Sequence, residues 1–412
     1  VDHMFSISSC VLLFCLAVYR WELFKNKGIP ATEVGNPAST KSVLEDARVR
    51  RACPCENTDL CRPITGLPVR PKEIFGFHSA YTDGDPSAYN WTHVTSIAWA
   101  ERDPSFMCVA HSHGTRVIMA APHFVLTGNV TERREYARTV LETLRENFLD
   151  GVTFDYELPL PANSAEGKWY AELIQETNAA LKTYNPSYQV SVCLAWSADD
   201  VDGRSYPVQN LFDAADLVYI MDYDTRSQVV DACLASANAP YAGMVKGMQS
   251  YFNLGVDPKK IVLGVPWYGY IYECLPGTAP TDRFCPIPLV PFRGVSCSDA
   301  AGAQISLEKL LTLENVTAAE WDENMMAPWF NTFDGEIVRQ VWYDDIRSLS
   351  LKYSWAKEAG IRGVGPYVFE YIAELRSDIS QQYWSAFDVF MGTKGIPESK
   401  NTTIDVVVPS ES

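Results

Sequence analysis

Residues 150–159 read DGVTFDYELP. Asp150 and Gly151 suit a turn, and the β-branched and aromatic residues after them suit an extended strand. Successive strand side chains point to opposite faces, so Thr153, Asp155 and Glu157 project one way while Phe154 and Tyr156 project the other. Two carboxylates then meet at the end of a strand. Like charges held out of water cost energy unless one is protonated, so one pKa must rise, as a general acid at mildly acidic pH requires. An acidic strand end satisfied by solvent or by an arginine is the plainer alternative.

Seven other short apolar runs share this character: EIFGFHSA (73–80), VTSIAWA (94–100), RVIMAAP (116–122), QVSVCLAW (189–196), LVYIMDYD (217–224), KIVLGVPWY (260–268) and GVGPYVFEY (363–371). Helix-period segments separate several of them, at 131–149, 166–184 and about 350–360. Eight buried strands alternating with helices predict an α/β fold, a parallel sheet closed into a (β/α)8 or TIM barrel, with a doubly wound open sheet as the alternative. A barrel collects its chemistry at the C-terminal ends of its strands, where acids and aromatics recur here. The span 269–347 is too long for one loop and reads as an elaborated insertion after the seventh strand, walling one side of a cleft. The barrel as a whole is expected over residues 53–390, after a linker at 31–52 and before a disordered tail at 391–412.

The second constellation is VYIMDYD, residues 218–224. Tyr219, Met221 and Tyr223 share one strand face, with Asp222 and Asp224 on the other. A phenol with a pKa near 10 donates a hydrogen bond in acid without ionising. DGVTFDYE and VYIMDYD together resemble the DGxDxDxE and YxMxYD signatures of the family 18 glycoside hydrolases. Finer blocks, among them CPCENTDLCRPI (53–64), SANAPY (236–241), PKKIVLGVPWYGY (258–270) and QVWYDD (340–345), are similar to the lysosomal chitobiose-cleaving branch of that family.

The resemblance implies a hydrolase that cleaves β-1,4-linked N-acetylglucosamine in chitobiose or small chito-oligosaccharides. An endo-chitinase, an endo-β-N-acetylglucosaminidase and a catalytically silent chitin-binding lectin are the alternatives. It implies Glu157 as general acid/base, Asp155 orienting the substrate acetamide and Tyr223 bonding the acetamide oxygen, with Met221 and Asp224 lining the subsite. Tyr219, Trp267, Tyr268, Trp196 and Tyr367 are further substrate-binding candidates; core packing competes for the aromatic ones. Two departures stand out: Thr153 replaces the family's second Asp, and Tyr367 stands where the family usually places Trp.

Cysteine usage points to an oxidising compartment. Cys53, Cys55, Cys61, Cys108, Cys233, Cys274, Cys285 and Cys297 lie in loop-like contexts and could form four bridges of unreadable connectivity, while Cys193 sits in an apolar run as a buried thiol. No metal and no cofactor are expected: the cysteine cluster lacks zinc-ligand spacing, and His78, His111 and His113 lack partners at metal spacing. Asp344 and Asp345 read as caps of the following helix. Residues 5–19 form an apolar segment suited to a signal peptide or short anchor within residues 1–30. Asn90, Asn129, Asn315 and Asn401 open N-x-Thr acceptor triplets. These features fit a lysosomal or secreted glycoprotein.

Charge narrows the partners. The 412 residues carry 51 acidic and 34 basic side chains, net −17, which repels phosphate backbones and anionic lipid. Nucleic acid and stable membrane association are therefore disfavoured, leaving an N-acetylglucosamine oligosaccharide as partner of a monomer. Residues 1–30 hold three basic and two acidic side chains, and without them the charge is −18. An acidic surface that titrates toward neutrality at low pH suits an acid compartment.

Overall fold

The computed structural model describes residues 52–65, 71–78, 85–101, 103–226, 232–372, 375 and 377–397. The expected signal segment, nearly all of the linker, and the tail from 398 with Asn401 lie outside the described residues.

Seven parallel strands follow in chain order: β1 (Glu73–Phe77), β2 (Ser96–Ala98), β3 (Arg116–Ala120), β4 (Gly151–Phe154), β5 (Gln189–Ala195), β6 (Leu217–Met221) and β7 (Ile261–Pro266). Between β7 and the eighth barrel strand the chain builds a separate antiparallel sheet from β8 (Tyr268–Glu273), β9 (Gly302–Ser306), β10 (Glu320–Asp322), β11 (Ala327–Asp334) and β12 (Ile337–Trp342), in the order β10-β11-β12-β8-β9. Strand β13 (Gly363–Tyr367) then pairs with both β7 and β1 and closes the barrel. The doubly wound alternative is excluded by that closure.

Helices pack outside: α1 (Pro104–Ser112), α2 (Val130–Asn147), α3 (Ala165–Tyr184), α4 (Val208–Ala214), α5 (Tyr241–Asn253), the short α6 (Leu307–Leu311) of the insertion, α7 (Ile346–Glu358) and α8 (Ser377–Met391). Their starts are set by side chains that accept from orphan backbone N–H groups: Asp103 before Pro104, Asn129, Ser164, and Asp345 in a reciprocal capping box with Ser348. Asp345 is therefore the cap the sequence suggests. Asp344 is instead the buried partner of Lys352, both carboxylate oxygens lying 2.8 Å from its Nζ.

The strands are buried on both faces, which explains their unbroken apolar runs. One face fills the barrel with Phe75, Phe77, Ile118, Cys193, Tyr219 and Val262. The other packs against the helices through residues such as Phe154, Val192 and Leu263. Gly264 on β7 makes this filling possible: a Cβ there would lie 2.3 Å from the Tyr219 ring.

Disulfides Cys53–Cys61 and Cys55–Cys108 fasten the first described segment to α1, and Cys233–Cys297 and Cys274–Cys285 staple the insertion. Cys193 is a buried free thiol. His111 links the first pair of staples to the barrel. Its Nδ1 faces the Leu60 carbonyl at 2.6 Å and its Nε2 faces Asp150 Oδ2 at 2.8 Å. With an acceptor on each side the ring is satisfied only as imidazolium, and its pKa is raised by the Asp150 bond and charge despite burial.

Candidate active site

Strand β4 ends at Phe154, so Asp155 and Glu157 extend from a loop rather than from the regular strand expected to 157. They nonetheless face one another electrostatically. Asp155 is held well above the usual carboxylate range, first by burial and then by the charge of Glu157, with Arg204 opposing. Its Oδ1 has no hydrogen-bond partner among the described residues. Glu157 is more open, its side chain 56% exposed, and its Oε2 accepts from Arg204 Nη1 at 3.0 Å. Beneath Asp155 the floor is neutral: the buried Thr153 hydroxyl lies 3.7 Å from Cys193 Sγ, and burial keeps that thiol protonated.

Strand β6 likewise ends early, at Met221. Asp224 then adopts a left-handed φ of 50°, which overrides the strict alternation expected of a strand and brings its carboxylate to the same mouth as Tyr223. Asp224 Oδ1 accepts from the Tyr268 hydroxyl at 2.7 Å, its Oδ2 accepts from Gln304 Nε2 at 3.0 Å, and its N–H donates to Asn238 Oδ1 at 2.5 Å. Burial pushes its carboxyl up to about 6, with the Tyr268 and Gln304 bonds pulling the other way. Because Tyr268 lies on β8 and Gln304 on β9, the inserted sheet supplies part of this wall.

Tyr223 and Tyr367 form an aromatic platform, rings stacked with centroids 5.2 Å apart and planes 27° apart. Trp99, at the end of β2, meets Tyr367 edge-on at 6.2 Å. Burial keeps the Tyr223 phenol protonated throughout the working range of a carboxyl group. Met221 lies beneath, 8% exposed.

Four sequence candidates take other places. Trp267 is wholly buried on the outer side of the barrel, packed among Phe369, Tyr383, Trp384 and Phe387, with no ring face open to a sugar. Tyr219 is wholly buried inside the barrel, its hydroxyl donating to the Gly365 carbonyl at 3.2 Å. Tyr268 offers no open ring face and contributes through its bond to Asp224. Trp196 is half-buried, its ring resting against Gly247 of α5, where a Cβ would come within 2.9 Å of it. Asp222 is also buried, and desolvation pushes it up to about 7.

Sequence reasoning missed Trp99, Arg204, Asn238 and Gln304. Each stands at a strand end, in a loop or in the inserted sheet, and the loops at C-terminal strand ends were the available signal. The sulfurs of Cys53, Cys55 and Cys61 lie within 4.8 Å of one another, but all three are bonded in disulfides, so they offer no thiolate to a metal. No helix among the described residues is long and apolar enough to cross a membrane.

The chain has clear relatives. Di-N-acetylchitobiase of Mus musculus is 34% identical over 345 residues, covering 81% of this chain and 92% of the relative. The Rattus norvegicus protein of that name is 36% identical over 320 residues, covering 76% and 85%. Probable di-N-acetylchitobiase 2 of Dictyostelium discoideum is 33% identical over 358 residues, covering 82% and 90%. Among solved structures, the Ostrinia furnacalis Group II chitinase catalytic domain 2 superposes with a TM-score of 0.64 at 17% identity, covering 80% of this chain and 98% of that one, and so shares the fold. The family model for glycosyl hydrolases family 18 matches residues 110–370, from α1 through β13 and the Asp155, Glu157, Tyr223 and Asp224 site. The chain belongs to glycosyl hydrolases family 18.

Proposed function

We propose that this family 18 glycosidase hydrolyses the β-1,4 bond of chitobiose and small chito-oligosaccharides, with Glu157 as acid and base. The observation that carries the reading is the facing pair Asp155 and Glu157 at the end of β4, beside the Tyr223–Tyr367 platform. A sugar on that platform brings its 2-acetamido group over Asp155. The acetamido oxygen then attacks the anomeric carbon while Glu157 protonates the leaving oxygen, and no enzyme carboxylate bonds to the sugar. Asp155 orients the acetamide N–H, and the Tyr223 phenol donates to its oxygen. Water deprotonated by Glu157 then opens the cyclic oxazolinium ion with retention.

Relatives named di-N-acetylchitobiase support the substrate class. Four disulfides favour the lysosome or secretion over a reducing cytosol. Residues 53–390 act as one catalytic barrel, with 269–347 as the insertion that walls the cleft.

The test is incubation of the protein and its Glu157→Gln variant with chitobiose and with cellobiose. Release of N-acetylglucosamine by the unmodified protein, its loss in Glu157→Gln and no cleavage of cellobiose support the reading. No release from chitobiose contradicts it.

A further inference from the structure

The chain leaves the barrel just past β6, where the Asp222 N–H still donates to the Gly264 carbonyl of β7 at 3.0 Å. Two residues later Asp224 is left-handed at φ 50°, a conformation that costs free energy in any residue with a side chain and persists where the surroundings compensate it. The compensation on the main chain comes from Asn238. Its Oδ1 accepts from the Asp224 N–H at 2.5 Å. Its backbone carbonyl accepts from the Thr225 N–H at 3.2 Å and from the Thr225 hydroxyl at 2.8 Å. Tyr268 and Gln304 act on the Asp224 carboxylate instead.

Asn238 lies in SANAPY (236–241), a block that the proposed chemistry leaves without a task. It is 4% exposed and flanked by the buried Ala237 and Ala239. An amide in such an apolar stretch costs free energy unless it is bonded, and here it is bonded to a backbone N–H beyond the last residue of β6. The segment is anchored on both sides. Two residues on, Pro240 stands at the start of α5, and the Tyr241 N–H donates to the Met325 carbonyl at 3.2 Å. Upstream, Cys233 is tied to Cys297 of the insertion. Without the Asn238 acceptor the left-handed φ loses its compensation on the main chain. An extended φ at residue 224 restores strand alternation and turns the carboxylate to the face opposite Tyr223.

We propose that Asn238 is a positioning residue for Asp224: its side-chain carbonyl holds residue 224 left-handed and so keeps the Asp224 carboxylate in the substrate subsite beside Tyr223. The proposal rests on the reading of this mouth as the site of chitobiose cleavage. It is tested by a double-mutant cycle of kcat/KM on chitobiose with Asn238→Ala, Asp224→Ala and the double variant. Asn238→Ala should lower kcat/KM about 5- to 150-fold, the population shift expected when a compensated left-handed residue is released. A residue that acts through Asp224 adds nothing once that carboxylate is gone, so the double variant should match Asp224→Ala within about 2-fold. Ser236→Ala, in the same segment but bonded to Met325 Sδ, should keep kcat/KM per folded molecule. Losses that multiply in the double variant overturn the proposal, because an independent structural role predicts them.

A second measurement needs no turnover. By amide hydrogen exchange, Asn238→Ala should speed exchange at Asp224 by about 10-fold more than at Thr225, whose acceptor is the backbone carbonyl that alanine keeps. A general loss of stability speeds both amides alike. Equal acceleration at the two overturns the proposal even where no substrate is cleaved. Faster exchange at Asp224 together with a failed chitobiose assay overturns only the functional reading.

Discussion

The Thr153 hydroxyl sits 3.7 Å from the Cys193 thiol, directly beneath the carboxylate that faces Glu157. Both residues are fully buried, so the position below Asp155 is neutral where the family signature carries a second acid. Restoring that acid as Thr153→Asp places a carboxyl in a fully buried site. Its folded pKa must rise, so the variant holds its stability below the unfolded value of about 3.9 and loses it as pH rises above that. Thermal midpoints should match the unmodified protein near pH 4 and fall behind it by neutrality; equal midpoints at both pH values contradict the account.

The same sign holds for the buried carboxyl groups whose pKa is raised. Burial raises Asp222 and Asp299 to about 7 and Asp224 and Asp345 to about 6. Each contributes its full stability below about pH 3.9 and loses it progressively up to its folded pKa. His111, also raised, adds stability below its unfolded value of about 6.5 that is lost as pH rises through its folded value. His78, lowered by burial, works the other way below about pH 6.5, and the lowered Asp322 and Asp388 lose their contribution as pH falls below about 4. Calorimetry should place maximal stability between about pH 4 and about pH 6, with a decline toward pH 8.

Trp267 and Tyr367 separate packing from binding. Trp267→Ala removes a wholly buried indole from an aromatic cluster and should cost about 3–5 kcal/mol of stability. Its KM per folded molecule should stay unchanged. Tyr367→Ala opens the platform beside Tyr223 and should raise KM about 2- to 10-fold, since aromatic contacts of this kind contribute about 0.5–1.5 kcal/mol. Unfolding curves and steady-state kinetics on the two variants check both statements, and a KM effect confined to Trp267→Ala would reverse the assignment.

The barrel was legible because β1 to β7 and β13 are buried on both faces and so appear as unbroken apolar runs separated by helical periodicity. That same two-sided burial hid which face each aromatic would take. Trp267 therefore read equally well as a substrate-binding candidate or as core packing, and its side chain turns outward onto α8. Asp155 and Glu157 were legible as a pair from their spacing alone. Strand alternation alone set Asp224 on the face opposite Tyr223, and only the family resemblance put both in one subsite; the left-handed φ of Asp224 breaks that alternation. Arg204, Asn238 and Gln304 reach the site from loops and from a separate sheet, placements that no local periodicity encodes.

Glu157 should supply about 10²- to 10⁴-fold of the rate, so Glu157→Gln should lower kcat by at least that range while chitobiose still binds. Equilibrium binding of chitobiose to the variant, alongside its residual kcat, checks this.

The most direct measurement follows the anomeric protons of N-acetylglucosamine by NMR during the first minutes of chitobiose cleavage. Attack by the sugar's own acetamide, with Glu157 returning a water from the same face, predicts the β anomer in excess of its equilibrium share. An initial excess of the α anomer would contradict the account.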